Sequence, residues 1–218
     1  YWFNQYNYTN SDGLPYADNS GELIYNNVIK REIPKNWMVE TFANNSLSKF
    51  IDTGISHFES KNYIATANVD NFTIKDGEWV TYSNRESRAN MSPSIYSIWF
   101  AKMKNSIKHM CIPENGDWMV KKYVFSTGFS GIQCTKNSFA YFYCLINEPF
   151  FERTKDILSH GATQQSVNND DLNSIKIVVP SLNVLKSFAE FANPLYEKIC
   201  NIIQENQILS EQRDSLLP

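Results

Sequence analysis

Beyond Pro180 the chain contains no glycine, and its apolar residues recur at spacings of three and four up to the last residue. That combination admits one regular structure, a long helix, because glycine is the residue that most readily interrupts a helix without stopping the chain. Ser181 stands where an N-cap hydroxyl is favoured. Written as a heptad, the stripe reads Phe188, Ala192, Leu195, Ile199, Ile202, Asn206, Leu209, Arg213 and Leu216. Pro194 has no amide hydrogen to donate, so a kink or a restart is expected there. Periodicity alone leaves two readings open: a helix packed on its own domain, or one that seeks a partner helix. The narrow stripe and the amide at Asn206 favour the second, since a buried amide at a core position fixes register and partner number. The expected pairing residues are Leu195, Ile199, Ile202, Asn206, Leu209 and Leu216.

The preceding residues have a different texture. Residues 1–36 are turn-rich, with Ser11-Asp12-Gly13, Asn19-Ser20-Gly21 and Ile33-Pro34-Lys35-Asn36 separating short aromatic segments, which predicts an extended arm or hairpin region. From 37 to 180, β-branched and aromatic runs at Tyr63 to Ala67, Ser94 to Phe100, Tyr123 to Ser126 and Ile175 to Val179 read as strands, with a helix around Phe139 to Glu148. The expected architecture is a mixed α/β (α+β) domain over 37–180, followed by a long coiled-coil helix over 181–218. No internal repeat or low-complexity tract is visible.

The 218 residues, 42% hydrophobic and 20% charged, are enough for a sizeable core and exclude disordered and collagen-like classes. No apolar run reaches the roughly 20 residues of a membrane span. The first residue is Tyr1, with neither a basic leader nor an apolar signal core after it, so the chain is expected to begin within something longer. Cys111, Cys134, Cys144 and Cys200 are scattered, as are His57, His109 and His160, which argues against a metal site and for buried thiols in the reducing cytoplasm. Asn-x-Ser/Thr triplets at Asn7, Asn44, Asn71 and Asn90 carry no glycan argument without a secretory signal. The net charge of −3 opposes nucleic-acid binding by bulk electrostatics, although Lys102, Lys104, Lys108, Lys121 and Lys122 crowd one region and allow a local basic patch.

Two catalytic motifs are approached and missed. Gly128-Phe129-Ser130-Gly131 resembles a nucleophile elbow, but Ile132 stands where its last glycine is required. Asn147-Glu148-Pro149-Phe150 is one residue away from the Asn-Pro-Pro-aromatic tetrad with which adenine methyltransferases grip a flipped base. No glycine-rich loop follows a strand to hold a methyl donor, so Pro149 is read as ending a helix.

The segment Gly161 to Pro180, GATQQSVNNDDLNSIKIVVP, leads into the helix, which closes on Gln212-Arg213-Asp214-Ser215-Leu216-Leu217-Pro218. A small-Thr-Gln segment, Asn168 and Leu172, a strand ending at Pro180 and a long helix follow one another. This order resembles the end of a target recognition domain in a Type I restriction-modification specificity subunit. Tyr123 to Phe129 resembles that family's central strand-to-loop segment. Asp52 to Ser56 and Tyr63 to Val69 look like its opening strands. Tyr1-Trp2-Phe3, Asp12 to Tyr16 and Arg31 to Trp37 resemble the segment before the domain. One departure is clear: family members commonly start the helix with Pro-Leu-x-Glu-Gln, whereas Pro180 here precedes Ser181-Leu182-Asn183-Val184-Leu185.

The resemblance implies one recognition domain where a complete subunit has two, and hence half of a specificity subunit. Each domain would read half of a split DNA target, with helices setting the distance between the halves. Adenine methylation, with its S-adenosylmethionine, and DNA cleavage would belong to separate modification and restriction subunits, so no catalysis and no cofactor are expected of this chain. Two copies are expected to pair antiparallel through the helix. For double-stranded DNA the candidate contacts are Thr163, Gln164, Gln165, Thr127, Ser130, Arg85, Arg88, Lys121 and Lys122. Amides and arginine suit base edges, and lysine suits phosphate. The competing readings are a recognition domain of a fused restriction-methylation enzyme, a protein-binding adaptor without a DNA role, and an adenine methyltransferase using Asn147 to Phe150.

Overall fold

A computed structural model describes residues 2–9, 12–70, 73–75 and 77–216. Tyr1, Ser11, Asn71, Leu217 and Pro218, on which parts of the sequence reading fall, lie outside the described residues. The chain runs through β1 (Leu23–Asn26), β2 (Arg31–Pro34), β3 (Met38–Thr41), β4 (Ser48–Phe50), β5 (Lys61–Ile64), β6 (Val69–Asp70), β7 (Thr73–Ile74), β8 (Glu78–Val80) and β9 (Ala89–Met91). It continues with β10 (Ser97–Ala101), β11 (His109–Ile112), α1 (Asp117–Lys122), β12 (Tyr123–Ser126), β13 (Phe129–Cys134), α2 (Phe139–Ile146), α3 (Pro149–Leu158), α4 (Asn169–Ser174), β14 (Lys176–Val179) and α5 (Leu182–Leu216). The expected mixed α/β domain with a long C-terminal helix is what forms.

Two four-stranded sheets build the domain, one in the order β11-β10-β13-β4 and the other β8-β5-β12-β9. The first is antiparallel throughout, and the second contains the parallel pair β5 and β12. β12 and β13 are consecutive yet belong to different sheets, so the chain crosses between layers at Thr127 and Gly128. Every residue of β10 and β12 is buried, as expected of central strands covered on both faces. One side of the core gathers Phe42, Phe100, Phe142 and Phe151, and the other Trp99, Phe125 and Phe129. Gly131 pairs directly with Trp99, and a Cβ there would lie 2.5 Å from the indole, so the glycine lets the ring lie across the strand. This packing role accounts for the second glycine of the motif that imitated a nucleophile elbow.

Short helices that the sequence reading passed over owe their positions to caps. Pro149 opens α3 at its first turn, where a missing N–H costs nothing, and Glu148 before it is extended. The reading of Pro149 as a helix terminator is therefore corrected: α2 has already ended at Ile146. Asn168 caps α4, its side chain accepting from the Asp171 amide at 2.8 Å. β14 then pairs antiparallel with β3, joining the end of the domain to its beginning.

α5 spans 35 residues, about 52 Å at 1.5 Å per residue. It runs unbroken through Pro194, so the expected restart does not occur. The carbonyl deprived of its partner is that of Glu190, four residues back, and both residues are exposed where water can satisfy it. Val184, Leu185, Ala189, Ala192, Asn193 and Cys200 bury one face of α5 against the domain. Phe188 meets Trp2 and Phe3 of the arm at ring separations of 5.4 and 4.8 Å, and Tyr196 meets Phe139 and Tyr143. Ala192 and Phe188, assigned to the partner-seeking stripe from the sequence, thus belong to the docking face.

Candidate nucleic-acid interface

Three connections come together at one end of the β10–β11 hairpin. The Lys104 amide donates to the Gln165 carbonyl at 3.0 Å, and the Val167 amide to the Lys102 carbonyl at 3.0 Å. The Lys102 amide donates to the Gly128 carbonyl at 3.0 Å, and the Thr127 amide to the Arg88 carbonyl at 2.9 Å. Backbone bonds therefore lace the 102–108 turn between the 160–167 loop and the β12–β13 crossover. Gly161, with φ +131°, begins the glutamine loop, and a Cβ there would lie 2.8 Å from the Gln164 carbonyl oxygen. Only glycine closes this loop without strain.

The side chains on this surface suit a polyanion. Arg88 is exposed, and Lys102, Lys104 and Lys108 are half-buried. Burial lowers the Lys102 ammonium below the usual lysine range, and the Arg88 guanidinium lowers it further. Among the described residues, ion pairs occupy Lys35, Lys75, Lys121, Lys122, Lys136, Lys155, Lys186 and Arg213, and leave this group of four out. Like charges held together without carboxylates favour an incoming phosphate, which relieves their repulsion. Thr163, Gln164 and Gln165 stand exposed beside them, and Thr127 is half-buried next to Arg88.

Beneath the hairpin lies a buried polar network with no counterpart in the sequence reading. Lys155 of α3 is fully buried, and its ammonium donates to the carbonyls of Ser106, Met103 and Ala101 at 3.0, 3.3 and 3.5 Å. It also pairs with Glu152 at 2.6 Å, and Glu152 is 2.8 Å from Nε2 of buried His109. Burial pushes the Glu152 carboxyl upward, but hydrogen bonds from His109 and Lys155 outweigh it and hold the group below the usual carboxylate range. The network fixes the backbone from which Lys102, Met103 and Lys104 project. A lysine four residues after Phe151 on a helix carries no sign of burial in the sequence.

Several sequence candidates fall elsewhere. Ser130 is buried in β13, its hydroxyl 3.2 Å from the Asn169 side chain, and is withdrawn as a DNA contact. Lys121 and Lys122 lie on α1, away from the hairpin group: Lys121 pairs with Asp117, and Lys122 reaches Gln207 at 3.3 Å and Glu211 at 3.7 Å on α5. The run of five lysines thus divides into a hairpin group and a helix-docking group. Arg85 stacks 4.2 Å over the Tyr82 ring and donates to the carbonyls of Ala89 and Tyr82, bracing its own loop. The Asn147 amide bonds to the Tyr143 carbonyl and to the His109 ring at the end of α2. Burial pushes the Cys111 thiol up to about 12, far from a reactive thiolate. Among the described residues no cluster of His, Cys, Asp and Glu suits a metal, and no helix is long and apolar enough to cross a membrane. A groove of about 630 Å³ between arm, α2 and α5, lined by Trp2, Phe3, Tyr141 and Phe188, shares no residue with the basic surface.

On the outer side of α5, Leu195, Ile199, Ile202, Leu209 and Leu216 remain 45–84% exposed, with Asn206 exposed among them. The packed-helix reading therefore holds for one face of α5, and the stripe expected to pair lies on the face left exposed.

No family model matches the chain. A curated relative, the Type I restriction enzyme MjaIX specificity subunit of Methanocaldococcus jannaschii, is 24% identical over 208 residues, covering 90% of this chain and 46% of the relative. The chain is similar to half of a Type I specificity subunit. Solved structures agree on the fold. The HsdS subunit from Thermoanaerobacter tengcongensis superposes with a TM-score of 0.58 at 15% identity, over 85% of this chain and 48% of that one. A chain from a structure describing complex assembly and conformational transition of the type I R-M system gives a TM-score of 0.60 at 14% identity, with the same coverage. The chain therefore spans about half the length of the proteins it matches, and shares with the two solved chains the fold of an α/β domain followed by a long helix.

Proposed function

We propose that this chain reads one half of a split DNA target, as half of the specificity subunit of a Type I restriction-modification system. The observation that carries the reading is the convergence of Arg88, Lys102, Lys104 and Lys108, with no carboxylate partner among the described residues, on the surface that exposes Thr163, Gln164 and Gln165. Arg88, Lys102 and Lys108 hold phosphates and fix position; the amides and hydroxyls of the loop, with Thr127, read base edges. In this reading residues 37–180 form the recognition domain, 181–218 the spacer and docking helix, and 1–36 an arm that braces them.

The chain supplies no catalytic group. Methyl transfer, with S-adenosylmethionine, belongs to a partner modification subunit, cleavage belongs to a restriction subunit, and the assembly works in the cytoplasm. The outward stripe of α5 takes a second helix, either that of another half or that of a second copy lying antiparallel. Comparing methylated adenines in cells with and without this gene tests the reading. Loss of one split motif is expected; an unchanged methylation pattern in a strain whose modification subunit is active would refute it.

A further inference from the structure

The two glutamines of the recognition loop are set in opposite senses. Gln165 Oε1 accepts from the Lys104 ammonium at 2.9 Å, whereas Gln164 Nε2 donates to the Met103 sulfur at 2.8 Å. An ammonium only donates and a thioether only accepts, so each contact favours one orientation of its amide. Residues 103 and 104, at the tip of the β10–β11 turn, thereby dictate which edge each glutamine shows to an outside partner.

For Gln165 the consequence is specific. Its oxygen has given one of its two lone pairs to an ammonium, and the spare hydrogens of that ammonium stand with the Nε2 hydrogens as donors toward a base. A glutamine reading adenine uses its oxygen and nitrogen together, because adenine offers a donor at N6 next to an acceptor at N7. Guanine offers two acceptors, O6 and N7, and cytosine offers the N4 donor. A surface dominated by donors matches guanine best, suits adenine less well, and opposes cytosine.

Resting on the proposed DNA-reading function, we propose that Lys104 and Gln165 form a composite reader of a guanine edge in the major groove. Lys104 is the residue that shifts the amide from adenine toward guanine, by drawing on its oxygen and adding donors beside its nitrogen. Glycine at 161 and the bond from the Lys104 amide to the Gln165 carbonyl keep the pair in register.

Selection from a duplex library with randomised positions, by the full chain together with its modification partner, tests this. The wild type is expected to enrich guanine at one position. Lys104→Met keeps the aliphatic stem and frees Gln165 Oε1, so that position is expected to move from guanine toward adenine by about tenfold, the scale of one bidentate contact. Gln165→Leu is expected to lose the preference there without gaining another. If the wild type selects a motif and neither variant changes any base preference, or if Lys104→Met weakens all sequences evenly, the inference is overturned and the DNA-reading function stands. If the wild type selects no sequence at all, both fall.

Discussion

Replacing Lys155 with methionine keeps the aliphatic stem and removes the ammonium. The ammonium is fully buried and serves the carbonyls of Ala101, Met103 and Ser106 as well as Glu152, whose side chain is only 13% exposed. Removing one member of a buried ion pair costs about 3–5 kcal/mol, because the remaining charge keeps its desolvation penalty. The orphaned carbonyls act in the same direction but are not additive with it. With a urea m-value of about 2–3 kcal/mol/M, the unfolding midpoint is expected to fall by about 1–2 M. Buried Trp99 makes indole fluorescence a suitable readout. The pH dependence has a definite sign. Glu152 is depressed in the folded chain, so its contribution is present above its unfolded pKa of about 4.3 and is lost as pH falls through the lower folded value. In Lys155→Met burial meets less opposition and the Glu152 pKa rises, so the stability gap between the two proteins is widest near neutrality and narrows below about pH 4. Adding Glu152→Gln to the variant is expected to restore part of the loss. A drop of less than about 1 kcal/mol at pH 7, or no recovery in the double variant, would refute the assignment of Lys155 as the support of the hairpin.

Other substitutions separate the remaining parts. Leu209→Asp alters a residue 61% exposed on α5, so monomer stability is expected to hold while self-association in sedimentation velocity is lost; a paired species that survives it would exclude this stripe as the contact. Gly161→Ala forces a side chain into φ +131° against the Gln164 carbonyl, and is expected to lower stability by about 1–3 kcal/mol and to accelerate hydrogen exchange in residues 160–167. Unchanged exchange there would mean that the loop is not closed by this glycine. Lys122→Met removes the tether to Gln207 and Glu211, and faster exchange is expected from residue 201 onward with the 184–200 stretch unaffected. Equal protection along both stretches would contradict it.

What could be read from the sequence was whatever depended on local pattern. The strands at Tyr123–Ser126 and Lys176–Val179, the helix at Phe139–Ile146 and the length of α5 follow from runs of residues with one periodicity. α1, α3 and α4 are only six to ten residues long, and α3 and α4 start at Pro149 and at the Asn168 cap, residues that resemble loop signals. Which lysines share a surface was beyond local pattern altogether. Lys104 and Lys122 stand 18 positions apart in one basic-looking region, yet one meets Gln165 and the other Gln207, through contacts across 61 and 85 positions. Ser130 failed as a candidate for a related reason. A strand buried on both faces hides its hydroxyls as well as its aromatics, and Phe129–Cys134 has no alternation to reveal which side chains are accessible.

The two faces of α5 bear on how the halves of a split target would be held apart. Asn193 reaches the Lys136 carbonyl at 3.0 Å, Trp118 reaches Cys200 at 3.3 Å, Asn115 reaches the Glu197 carbonyl at 2.9 Å, and Gln207 reaches the Tyr123 hydroxyl at 2.8 Å. These attachments span the helix from 193 to 207 and begin on elements of both sheets' surroundings, so the helix cannot swing on a single hinge. A partner helix seated on Leu195, Ile199, Ile202 and Leu209 would therefore be held at a fixed orientation to the 160–167 loop, with no flexible linker between. Changing the length of α5 beyond residue 211, past the Lys122–Glu211 pair, would move a partner held on the helix without disturbing this domain. Shortening it within 193–207 would disturb both together.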